Sequence, residues 1–131
     1  MHDARKQLLM EIVERDGQCT IRVGGTSMGK TIRHRAVIDV HRTAFDEIHA
    51  GDIVAYFMGN RLMVHRIIEK LENELVIRGD SEPSRPHRVA PEAVLGRVTA
   101  IRNPDLFERL KGKIAGYAER FRHSKFVACN A

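Results

Sequence analysis

The sequence contains no tryptophan, only two cysteines and four prolines, and aromatic residues make up 5% of its 131 positions. Cys19 and Cys129 stand near opposite ends and form no CxxC pair. That excludes a zinc knuckle or a disulfide scaffold and reads as free thiols in a reducing compartment. Few aromatics, and no helix-turn-helix, zinc-finger or RNA-recognition pattern, argue against nucleic-acid binding. The net charge of +5 then reads as a solvated basic surface. No window approaches the roughly 20 apolar residues needed to span a bilayer, and residues 1–16 are rich in charge where a secretion signal would be apolar. His34, His41, His49, His65 and His87 match no compact metal-ligand spacing. The expectation is a cytoplasmic protein, at most peripheral to a membrane, with neither metal nor cofactor.

What is present suits one folded domain over residues 1–131, since 43% hydrophobic content with 30% dispersed charge supports one core but hardly two. Three sections follow from the patterning: an N-terminal helix (1–18), a β core (19–103) and a C-terminal helix (104–131). Asp3 is placed to cap the first helix, Leu8, Leu9, Ile12 and Val13 share one of its faces, and Gly17 can end it. From Cys19 to Ile101 short Val- and Ile-rich runs alternate with Gly, Asn, Asp and Pro. They predict strands at Thr20–Val23, Ala36–Val40, Asp52–Phe57, Arg61–Ile68, Leu75–Arg78 and Ala93–Ile101. Asp105–Phe126 returns to helical spacing, with Leu106, Leu110, Ile114, Tyr117, Ala118 and Phe121 along one side and many Lys and Arg elsewhere. Such a basic amphipathic helix either covers the sheet or lies on an anionic membrane.

Two hairpins bear on chemistry. Gly59-Asn60 suits a two-residue turn whose first position takes positive φ, which sets Val54 opposite His65. If Glu72-Asn73 form the next turn, paired residue numbers sum to 145, and His65 faces Asp80 with Cβ atoms about 4.5–5.5 Å apart. A shift of one residue in that register removes the pairing.

A serine hydroxyl becomes a useful nucleophile only when a neighbouring base accepts its proton, and histidine is the base best matched to neutral pH. Ser27 and His65 supply such a pair. Asp80 would hold the imidazole in one tautomer, and Gly24 and Gly25 let the backbone turn sharply and expose N–H groups to an oxyanion. Each residue also has a plainer reading: Gly24-Gly25-Thr26-Ser27 as a turn, His65 as a satisfied strand residue, Asp80 as a turn former. Lys30 lies close enough in sequence to offer a Ser–Lys alternative, but reads more readily as a solvated loop lysine.

Five segments in order resemble the type I signal peptidase and SOS-repressor superfamily of serine peptidases, across roughly residues 21–101. Gly25-Thr26-Ser27-Met28 is similar to its nucleophile box, Gly51-Asp52-Ile53-Val54 to its GD-[IV]-V strand opening, and Val64-His65-Arg66-Ile67-Ile68 to the box holding the base. Gly79-Asp80-Ser81 resembles its late GD box and Leu95-Gly96-Arg97-Val98 its closing LGxV strand. The resemblance implies a coiled β-sheet with flanking N- and C-terminal helices, catalysis by Ser27, His65 and Asp80, and an oxyanion and substrate site at Gly25, Thr26 and Met28. Histidine at the base position matches the endoplasmic-reticulum and archaeal branch; bacterial signal peptidases and self-cleaving repressors carry lysine there. The chain departs from the family where x-Pro-Thr becomes Gly29-Lys30-Thr31, where a Gly-Asp becomes Arg35-Ala36, and where a second Asp gives way to Pro86-His87. No membrane anchor and no Ala-Gly or Cys-Gly bond precede Ser27, so cleavage of a peptide or small precursor protein in trans is expected. The alternative is an inactive module of the same fold that grips an extended peptide along a strand edge. An unperturbed histidine base would make reactivity rise through about pH 6–7.

Overall fold

The structure, a computed structural model, describes residues 4–105, 107, 110 and 127–130. Helix α1 spans Ala4–Asp16. Leu9 and Val13, one turn apart, are its buried residues, with Ile12 packed at the margin. Leu8, expected on that face, is half exposed, because the buried stripe is narrower than the run of apolar residues. The Gly17 N–H closes the helix on the Val13 carbonyl at 2.8 Å. Asp3, the expected cap, lies outside the described residues, as does most of the stretch expected to form the C-terminal helix; within that stretch Val127–Asn130 form a strand paired with Ile21–Gly24, which corrects the expectation there.

The rest is mainly β: β1 (Gln18–Gly24), β2 (Val37–His41), β3 (Ile53–Met58), β4 (Arg61–Lys70), β5 (Leu75–Arg78), β6 (His87–Val89), β7 (Val94–Arg102) and β8 (Val127–Asn130). They form one sheet in the order β6-β5-β4-β3-β7-β2-β1-β8. Every pairing is antiparallel except that of β8 with β1. The six expected strands occur within two residues of their expected ends. The three-residue β6 and the edge strand β8 carry too little alternation to stand out in sequence.

Strand β3 explains the layout. Ile53–Phe57 is buried on both faces, so alternate residues feed two separate cores. Ile53, Ala55 and Phe57 join Leu62 and Val64 of β4, Ile21, Val23, Ile38 and Val40 of β1 and β2, and Leu9 and Val13 of α1. Val54 and Tyr56 face the other way, onto Ile48, Ile67, Leu75, Ile77 and Val89. Gly59 (φ 65°) turns β3 into β4, a conformation cheap only for glycine, and this fixes Val54 opposite His65 as expected. His65 therefore belongs to the second face.

The next hairpin turns at Glu72-Asn73, with Lys70 opposite Leu75, a sum of 145. The sum changes at Ile68: Ile67 pairs with Ile77 and Arg66 with Arg78. Ile68 is an extra residue on one strand, a β-bulge that bends β4 and moves Asp80 off the position opposite His65.

Because Leu9 is 1% exposed and ties α1 to the sheet, Leu9→Ala should lower unfolding free energy by about 2–4 kcal/mol in urea denaturation.

Candidate active site

Ser27 sits where β1 runs out into consecutive tight turns, with Gly29 N–H bonded to Thr26 O and Thr31 N–H to Met28 O, each at 3.0 Å. The Met28 side chain, 1% exposed, is driven into the first core and anchors these turns by burial. From the other side, the Ser81 N–H donates to the Ser27 carbonyl at 2.9 Å. This approach requires Gly79: a Cβ there would lie 2.5 Å from the Ser27 carbonyl oxygen and 2.6 Å from Ser84 Oγ. Arg66 clasps Asp80 through two bonds of 2.9 Å and also donates to Gly51 O at 2.8 Å, while Thr31 Oγ1 donates to Asp80 Oδ2 at 2.7 Å. One carboxylate thus pins the Ser27 loop to β4. The Arg66 hydrogen bonds, with help from Thr31, hold its pKa below the ordinary carboxylate range.

The Ser27 hydroxyl lies 2.9 Å from His65 Nε2. His65 Nδ1 lies 2.8 Å from the Tyr56 hydroxyl, and that same oxygen lies 2.6 Å from His87 Nε2. Four side chains from the loop, β4, β3 and β6 form one unbroken chain. Tyr56 is fully buried, and His65 is 6% exposed. Both nitrogens of His65 are therefore taken, and Asp80, bonded to Arg66 and Thr31, makes no hydrogen bond to it. The sequence-based pairing of His65 with Asp80 is corrected for that reason.

Burial dominates the acid–base state of His65. Loss of hydration, and to a lesser degree the nearby His87, push its pKa down to about 4 against the through-space charge of Asp80. At neutral pH the ring is uncharged. Burial also pushes the Tyr56 phenol well above its ordinary value, so its hydroxyl keeps its proton.

A family model described as Peptidase S24-like matches residues 3–99, about three quarters of the chain. The chain belongs to the Peptidase S24-like family. No curated protein matches it. The matched span holds Ser27, Tyr56, His65, Asp80 and His87, and family membership gives a peptidase-type fold.

Two departures from the expected pattern have defined places in this S24-like domain. Arg35 is held in the left-handed conformation (φ 74°), which glycine adopts most readily, and Ala36 is fully buried. Thr31, which fits the x-Pro-Thr pattern, is the residue that reaches Asp80. Lys30, the alternative base, is exposed, and His65 holds the contact with Ser27. The expected oxyanion residues divide. The Gly25 N–H is taken by His34 Nδ1 at 3.1 Å, the Met28 side chain belongs to the core, and Thr26 is exposed. Among the described residues the Ser27 N–H has no hydrogen-bond partner. No group of three His, Cys, Asp or Glu among the described residues is arranged to hold a metal ion. No described helix is long and apolar enough to cross a membrane.

Sequence reasoning missed Tyr56 and His87. Tyr56 sits diagonally from His65 across the β3–β4 ladder, where it pairs with Met63, so its place follows from the Gly59-Asn60 register. His87 occupies the region of the family's second Asp, a signal present in the sequence but read there as a missing partner.

The pKa of His65 sets a sign. Unfolded histidine binds a proton near pH 6.5, but the folded ring does so only near pH 4, so acidification between these values favours unfolding. Stability should be complete above about pH 6.5 and fall by up to roughly 3 kcal/mol as pH drops to about 4. His65→Gln should lack this component in denaturation curves measured across the window.

Proposed function

We propose that the protein is a serine endopeptidase that cleaves a peptide or small precursor protein, with Ser27 as nucleophile and His65 as general base. The observation that carries this reading is the 2.9 Å contact between the Ser27 hydroxyl and an imidazole held neutral by burial. Ser27 Oγ attacks the scissile carbonyl carbon while its proton passes to His65 Nε2. The carbonyl oxygen becomes an oxyanion, for which the Ser27 N–H is a free donor on the same residue. Collapse of this intermediate breaks the C–N bond, and His65 Nε2–H returns the proton to the departing amine. The resulting Ser27 ester is hydrolysed when a water gives its proton to His65 and attacks the same carbon, releasing the acid and restoring the serine.

A base of low pKa is fully available at pH 7 but takes up a proton reluctantly, so the forming imidazolium depends on the adjacent oxyanion and on the through-space charge of Asp80. Asp80 serves this reading mainly by holding the Ser27 loop to Arg66 and Thr31. The wholly buried Ala36 and the left-handed Arg35 keep the strand that follows the loop in place.

Labelling by a fluorophosphonate probe tests the assignment. Ser27→Ala and His65→Ala should each abolish labelling while far-UV circular dichroism stays unchanged, and a labelled Ser27→Ala protein rules the reading out. Wild-type labelling should rise through about pH 4 and stay level above it. That is well below the pH 6–7 expected of an unperturbed histidine.

A further inference from the structure

The chain Ser27–His65–Tyr56–His87 contains one hydroxyl proton between two imidazoles, and this restricts how its protons can be arranged. Tyr56 Oη lies 2.8 Å from His65 Nδ1 and 2.6 Å from His87 Nε2, and it has a single proton to give. With both rings neutral, only two orderings make every contact and also leave the buried phenol proton with an acceptor. In the first, Tyr56 donates to a bare His87 Nε2, its oxygen accepts from His65 Nδ1–H, and His65 Nε2 is left bare to accept from Ser27. In the second, His87 Nε2–H donates to Tyr56, Tyr56 donates to His65 Nδ1, and His65 Nε2–H points at Ser27. The second ordering leaves no base for the nucleophile.

We infer that Tyr56 and His87 are positioning residues that select the reactive tautomer of His65, with the acceptor state of His87 Nε2 deciding it through the Tyr56 hydroxyl. This rests on the peptidase reading for its consequence but not for its geometry. Three features support it. Both His65 nitrogens are engaged, and Asp80, the carboxylate nearest in sequence logic, is committed to Arg66 and Thr31. Tyr56 is fully buried, so water cannot substitute for either of its partners, and an unmet phenol or imidazole N–H would cost the full desolvation penalty. The rings also pack together, with His65 and His87 centroids 6.0 Å apart and edge to face, which holds their nitrogens in line with the phenol. Val54 and Ile77, opposite His65 and His87 on their strands, enclose the cluster in apolar surface.

The arrangement predicts an effect that depends on donor against acceptor character, which loss of packing would not produce. His87 is half-buried, so polar replacements are accommodated. His87→Glu offers only acceptor oxygens and imposes the first ordering; His87→Lys offers only a donor and imposes the second. On the high-pH plateau, the fluorophosphonate labelling rate of His87→Glu should stay within about threefold of wild type. That of His87→Lys should fall about a hundredfold or more, the contribution of a positioned general base. Imidazole ¹⁵N NMR reads the cause directly: His65 should carry its proton on Nδ1 in wild type and His87→Glu, and on Nε2 in His87→Lys. Tyr56→Phe, which removes only the hydroxyl, should also move that proton to Nε2 and supplies the test if a His87 variant does not fold. Equal plateau rates for Glu and Lys with the His65 tautomer unchanged overturn the inference. Labelling that survives in Ser27→Ala overturns the peptidase reading instead, and the NMR shift still decides the relay.

Discussion

The contact between Ser27 and His65 joins residues 38 apart in sequence, and most of the described fold is needed to hold its two ends. Ser27 is suspended in a turn that has no regular secondary structure of its own. Burial of Met28 holds it from one side, and the Ser81 N–H and the Thr31–Asp80–Arg66 network hold it from the other. His65 is fixed by its ladder with β3 and by the phenol behind it. A hydroxyl must approach within about 3 Å of an imidazole for direct proton transfer, so slack on either side removes the interaction before it affects stability.

Burial makes this pair different from one organised around a carboxylate. His65 lies on the face of β3 and β4 that carries Val54, Tyr56 and Ile67, and its acid–base behaviour follows from that apolar neighbourhood. A carboxylate against Nδ1 would stabilise the imidazolium strongly; a phenol supplies orientation with little charge. Asp80 is instead used where its charge is matched by the guanidinium of Arg66, and it contributes to His65 only through space. On the proposed peptidase reading, the two tasks usually assigned to one acid, orientation and electrostatic support, are divided between different residues.

Much of the architecture was legible in the sequence because it rests on local rules. Alternation of Val and Ile with polar residues located six strands, Gly17 located the end of the first helix, and Gly59-Asn60 fixed the register that puts Val54 opposite His65. The order of five segments, from Gly25-Thr26-Ser27-Met28 to Leu95-Gly96-Arg97-Val98, was enough to indicate the family. A methionine beside Ser27 gives no sign in sequence of whether its side chain faces a groove or the core, and here it is buried. Nor does sequence reveal that the Gly25 N–H is engaged by His34, nine residues away across a loop of irregular backbone.

The sequence by itself determined the strands, the β3–β4 hairpin and the candidacy of Ser27 and His65, since these depend on neighbours a few residues apart. Only the tertiary structure decided which side chain stands behind His65. A single bulge at Ile68 shifts the β4–β5 register and sends Asp80 to Arg66. The sheet brings β6 within hydrogen-bond reach of Tyr56, although β5 and β4 lie between them in strand order. Sequence alternation specifies which face a residue occupies, but not where an extra residue bends the strand or how far a twisted sheet curls.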